Sequence, residues 1–170
     1  MSNNPYGSYA VSTDISDEGI WAEEPDFRVR TRFAGAENKR YWAEFVKVMA
    51  PVQATMRKLE NNPELLDKFD KNTVTPKLAR LFVDHIITDW QSSAGFDEEL
   101  GDIRWLETMV SLEGEAVPYD PDVALKILLR FPRVFQRIRE VAGNASLFAS
   151  VVQEADEGTV KNSLTPSHTD

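Results

Sequence analysis

Apolar and polar positions alternate along the chain with two different periods, and the change of period divides it. Phe27, Val29, Thr31 and Phe33 interleave with Arg28, Arg30 and Arg32, the two-residue period of a half-buried strand. A shorter stretch, Ile20 to Glu23, precedes it, and Glu24-Pro25-Asp26 supplies turn chemistry, so a β-hairpin is predicted at about 19–34. Beyond Gly35 the spacing becomes helical. Trp42, Phe45, Met49, Val52, Met56 and Leu59 recur at alternating steps of three and four, a heptad-like seam on one helix face. Asn38 is its candidate N-cap. Pro51 lies inside it without breaking the phase, which predicts a kink rather than a stop.

The rest of the chain reads mainly as helix. Pro63 suits the first turn of a short helix over Glu64 to Phe69. Thr75 and Pro76 open a stronger one, in which Leu78, Leu81, Phe82, His85, Ile86 and Asp89 share a stripe and Val83, Ile87 and Trp90 add a second face. Asp120-Pro121-Asp122 opens another, Phe131-Pro132 ends it and starts the next, and Gly143-Asn144 passes to a last one striped by Leu147, Phe148, Val151 and Val152. Residues 91–118 are acidic and punctuated by Gly95, Gly101 and Gly114. They read either as one short helix around Ile103, Leu106, Val110 and Met109 or as a long loop or insertion. With a polar arm at 1–17 and a polar tail at 161–170, the expected architecture is mainly α. It is a compact helical bundle of about five to seven helices over 18–160, carrying a small N-terminal β-hairpin.

Composition narrows the function. In 170 residues there is no cysteine and there are two histidines, which leaves thiol chemistry, disulfides and cysteine-based metal sites out. The formal net charge of −9 argues against a nucleic-acid partner. No apolar run approaches the roughly 20 residues of a membrane span, and the N-terminus lacks the basic and apolar blocks of a signal peptide. No phosphate-binding glycine loop, nucleophile elbow or zinc-protease motif occurs. Asp84, His85 and Asp89 share one predicted helix, but a single helix offers too few ligands for a metal. His85 reads as a packed histidine bonded to a carboxylate or carbonyl. Catalytic, cofactor and metal residues are therefore expected to be none.

Two surfaces remain as partner sites. Arg28, Arg30 and Arg32 set three charges about 7 Å apart on one strand face, which reads as a patch for an acidic segment or as a solvated edge. Trp42, Phe45, Met49, Val52 and Met56 form a seam that either faces the chain's own core or accepts a partner's helix. Methionine suits varied packing in the second case.

The order of motifs resembles that of the tail assembly chaperones of long-tailed bacteriophages. The resemblance rests on Phe27-Arg28-Val29-Arg30 before a long helix and on a helix ending in Ile86-Ile87-Thr88-Asp89-Trp90. Gly114-Glu115-Ala116-Val117-Pro118-Tyr119-Asp120 and Ala124-Leu125-Lys126-Ile127-Leu128-Leu129 follow, and then Phe131-Pro132-Arg133-Val134-Phe135 and Lys161-Asn162-Ser163. Residues 91–113 depart from the family pattern, which passes from tryptophan to the glycine turn in far fewer positions. The resemblance implies a non-catalytic chaperone that binds the tape-measure protein, keeps it soluble and recruits tail-tube subunits. It would work in the host cytoplasm and be absent from the mature virion, and it could form a homo-oligomer. The rival roles are a structural tail-completion or connector protein and a regulatory protein that binds a host factor.

Overall fold

A computed structural model describes residues 18–61 and 74–148. The arm at 1–17, the helix over Glu64 to Phe69, the stripe positions Val151 and Val152 and the tail at 161–170 lie outside the described residues.

The fold is α/β, which corrects the expected mainly helical bundle. Four antiparallel strands form one sheet in the order β1 (Ile20–Glu23), β2 (Phe27–Thr31), β3 (Ile87–Asp97) and β4 (Asp102–Leu106). A small ladder joins β5 (Met109–Val110) to β6 (Ala116–Val117). The long helix α1 (Lys39–Asn61) lies between β2 and α2 (Val74–His85) in the chain, and α3 (Pro121–Arg130) and α4 (Pro132–Ala142) follow the sheet.

The predicted hairpin forms, with Ala22 opposite Val29 and Glu23 opposite Arg28. A hairpin alone is marginal in water. Here it gains a third strand, since Val29 also faces Trp90 and Arg28 faces Gln91. Beyond β2 the Arg32 amide donates to the Ile86 carbonyl at 2.8 Å, and the Ala34 amide to the Ala142 carbonyl at 2.8 Å, tying this path to the ends of α2 and α4. Gly19 enters β1 at φ +75°. A Cβ there would lie 2.7 Å from the Thr31 carbonyl oxygen, so the position excludes any side chain.

The main departure from expectation falls between residues 86 and 118. The stripe of α2 was expected to continue as helix to Trp90. The helix instead ends at His85, and Ile86-Ile87 turn into β3. The strand pairs at once with β2, with a bulge between Arg30 and Thr31. Ile87 and Trp90 are buried in either state, so burial pattern alone does not separate helix from strand here. Residues 91–118, which read as a short helix or as a long loop or insertion, hold the rest of β3, β4 and the β5–β6 ladder. Ile103, Leu106, Met109 and Val110 all lie in strands.

The core lies between the inner sheet face and the helices. Val29, Ile87 and Trp90 meet Leu78, Ala79, Phe82, Val83 and Ile86 of α2, then Ala124 and Leu128 of α3 and Phe135 and Ile138 of α4. An aromatic chain continues it into α1: Phe135 meets Phe82 edge to face at 5.2 Å, Phe82 meets Tyr41 at 5.8 Å, and Tyr41 stacks on Phe45 at 5.5 Å. Local capping follows the sequence. The Asn38 carboxamide oxygen accepts from the Tyr41 amide at 3.2 Å, and Asp120 accepts from the Asp122 and Val123 amides at 2.8 and 3.0 Å. Asn144 accepts from the Ser146 amide at 3.1 Å, ahead of helical residues 145–148. Thr75 lies inside α2 rather than at its cap. Helix α1 runs through Pro51 without a break, and the Thr55 hydroxyl donates to the Pro51 carbonyl at 2.8 Å.

Candidate functional site

The acids and the histidine that share the predicted helix near residue 85 do not stay on one element. Asp89 stands on β3, so it is no longer one helical turn from His85, and its carboxylate accepts from the Trp90 amide at 2.7 Å. Asp84 pairs with Arg80 at 2.8 Å, and Arg80 also reaches Asp122 at 2.7 Å, joining α2 to the start of α3. Among the described residues no three acids or histidines gather as metal ligands would.

The outer sheet face organises the predicted arginines. Alternation along β2 turns Val29 and Thr31 inward, and Arg28 and Arg30 outward. The Arg28 guanidinium lies 4.4 Å from the Trp21 ring and 4.7 Å from the Trp105 ring, held between an indole of β1 and one of β4. Its Nε donates to Gln91 at 2.8 Å, and it approaches Glu23 at 3.6 Å. A planar guanidinium satisfies this double stack in a way an ammonium does not. Arg30 faces the same Trp21 ring at 6.0 Å, and its Nε is buried with no hydrogen-bond partner among the described residues. Arg32 lies past the end of β2, half-buried, so the three arginines do not form one free basic row. Sequence reasoning missed Trp21 and Trp105. The alternation of Ile103 and Trp105 about Arg104 is the signal for β4 that was there to be found.

The second surface is the α1 seam. Phe45, Met49 and Val52 are half-buried, Trp42 is 40% exposed and Met56 is 52% exposed; Phe45 packs against the edge of the core, and none of the five is fully buried. Trp42 stacks on Phe45 at 5.2 Å. Phe45 and Met49 form one wall of an open groove of about 790 Å³ between α1, α2 and α4. Leu78, Phe82 and Phe135 lie opposite, and Arg139 and Glu140 stand at its rim. Trp42 and Met56 lie on α1 outside the groove lining. The structure therefore brings two of the seam residues together with an apolar cleft and leaves the other three along the helix beside it.

The groove's burial is legible in Tyr41. Its phenol is pushed up to about 12 by burial, against the lowering influence of the Arg139 guanidinium nearby.

Residues 36–162 match the family described as YdaY prophage protein, a span that begins just after the β1–β2 hairpin and takes in α1, α2, β3 to β6, α3 and α4. No curated protein and no solved structure gives a significant match. With three quarters of its length inside that one match, the chain belongs to the YdaY prophage protein family and is of phage origin.

Proposed function

We propose that this phage protein is a non-catalytic assembly chaperone whose client is the long helical tape-measure protein of the tail, and that it also recruits tail-tube subunits. The observation that carries the reading is the α1 seam. Five large apolar side chains run along one helix, none of them fully buried, and two of them wall a cleft between helices. An amphipathic helix of a client docks in such a groove through apolar side chains at helical spacing. Methionine at positions 49 and 56 lets the surface fit more than one client segment. The net charge of −9 keeps an otherwise sticky complex in solution.

The phage family supports the setting, and the motif order supports the tail role. One part of that order falls away: Asp89-Trp90 closes no helix here, because both residues are in β3. The support that remains is the α1 seam, the glycine turn before α3 and the Phe131-Pro132 junction. The protein would act in the host cytoplasm and leave before the virion matures.

Co-expression with the tape-measure protein of the same phage tests this, read by affinity capture and by the soluble fraction of the client. The wild-type chain is expected to retain and solubilise the client, and a Phe45→Asp, Met49→Asp chain to lose it. A client that precipitates beside the wild-type chain, or binds the variant equally well, overturns the reading. Stoichiometric presence of the protein in purified mature tails does the same.

A further inference from the structure

The sheet carries a projecting arm that the seam does not explain. Strand β3 is longer than its neighbour: Ile87 to Ser92 pair with β2, whereas Ser93 to Asp97 lie in the ladder with β4 alone. The β3–β4 hairpin therefore runs on beyond the β1–β2 turn, by about 10 Å at strand rise from Trp105 to Asp102, with a bulge in β3 between Ser93 and Phe96. Its tip is ordered. The Asp97 carbonyl accepts from the Gly101 amide at 2.9 Å, its carboxylate accepts from the Glu99 and Leu100 amides at 3.0 and 3.2 Å, and Gly101 sits at φ +66°. This built turn holds Phe96 at 68% and Leu100 at 70% exposure, the most exposed large apolar side chains among the described residues. Around them stand Asp97, Glu98, Glu99 and Asp102.

At the base of the arm lies a surface of complementary character. Phe27, Val110, Leu112, Phe131 and Val134 line an apolar groove of about 430 Å³. It adjoins a second concavity of about 460 Å³, with Phe27 and Val134 in common, whose wall carries Arg133 and Arg137. The acids lining the two are Glu24 and Asp26, with Glu113 and Glu115 in the turn next to Leu112, and Glu24 is already engaged by Arg137 at 2.9 Å. Asp26 fixes the arm to the groove, its carbonyl accepting from the Ser93 amide at 2.9 Å.

We infer that the arm is a dimerisation element, the acidic and apolar tip of one copy docking in the apolar groove and Arg133 rim of a second copy. Charge selects the occupant, because an acidic chain repels its own kind except where a basic rim meets an acidic tip. Placement selects the symmetry. Arm and groove share one end of the sheet, so a two-fold axis beside that end lays each arm over the other's groove and closes the pair without leaving a free site. The apolar floor receives Phe96 and Leu100, and Arg133 meets the tip carboxylates.

Sedimentation velocity on the full chain tests this. The wild-type chain is expected to be a dimer that dissociates as salt rises. Phe96→Asp with Leu100→Asp, and separately Arg133→Glu, are expected to be monomeric with unchanged circular dichroism, since all three positions are exposed. A mixture of the two variants is expected to regain part of the dimer, because one tip–groove contact survives in the mixed pair. The chain has no cysteine, so a Leu100→Cys chain mixed with a Leu112→Cys chain is expected to form a mixed disulfide. A wild-type monomer throughout the micromolar to millimolar range overturns the inference. So does a dimer that survives both variants, or a polymer larger than the closed pair.

Discussion

At the scale of single residues, burial and stacking decide which charges and phenols are free to act. Arg28 reads in the sequence as a partner-binding cation, yet its guanidinium is packed between Trp21 and Trp105. Arg28→Lys keeps the charge but loses the planar stack and the Gln91 hydrogen bond, and it is expected to cost about 1–2 kcal/mol in urea unfolding. A lysine variant as stable as wild type would show that the charge alone matters. Tyr41 and Tyr119 are each pushed up to about 12, in both cases chiefly by burial. For Tyr119 the Asp84, Asp89 and Asp120 carboxylates add to it. A phenol that keeps its proton longer in the folded chain stabilises the fold fully below pH 10, the unfolded value, and this stability is lost as pH rises from 10 to 12. Phenolate absorbance of the folded chain is expected to show both groups titrating late. Tyr119→Phe, which gives up only a 3.4 Å hydrogen bond to the Ile87 carbonyl, is expected to flatten the alkaline fall in stability.

At the scale of elements, legibility depended on whether local signals and tertiary pairing agreed. They agree in the β1–β2 hairpin, in the Asn38 cap of α1, and in the Asp120-Pro121 start of α3 followed by the Phe131-Pro132 junction. They conflict at Ile86. There the helical stripe of α2 runs in phase into Ile87 and Trp90, no glycine or proline marks the end, and only β2 reveals that the segment is a strand. The same conflict conceals β4, whose exposed edge and short alternation look like loop when read alone. Losing β3 and β4 from the reading turned an α/β fold into a helical bundle and hid the arm. The surface candidates divide between the two kinds of element. Phe45 and Met49 lie in a groove, whereas Arg28 is engaged within the sheet and Arg32 lies past its end.

At the scale of the whole molecule, helix α4 separates two surfaces. Pro132, Phe135, Gln136 and Arg139 face the α1 groove, and Arg133, Val134, Arg137 and Ile138 face the concavities beside the arm. This is the helical period divided between two walls, so one short helix serves both grooves without sharing a side chain. Groups with no common partner act nearly independently, which gives client capture and pairing separate controls. Phe45→Asp with Met49→Asp is expected to abolish client retention and leave the sedimentation of the chain unchanged. Phe96→Asp with Leu100→Asp is expected to do the reverse, each to within about twofold in the unaffected property, the additivity limit for separate sites. If the α1 variant also loses the dimer, the two grooves are coupled through α4. Phe135 is then the residue to examine, since it lines the α1 groove and packs on Phe82 in the core that both surfaces share.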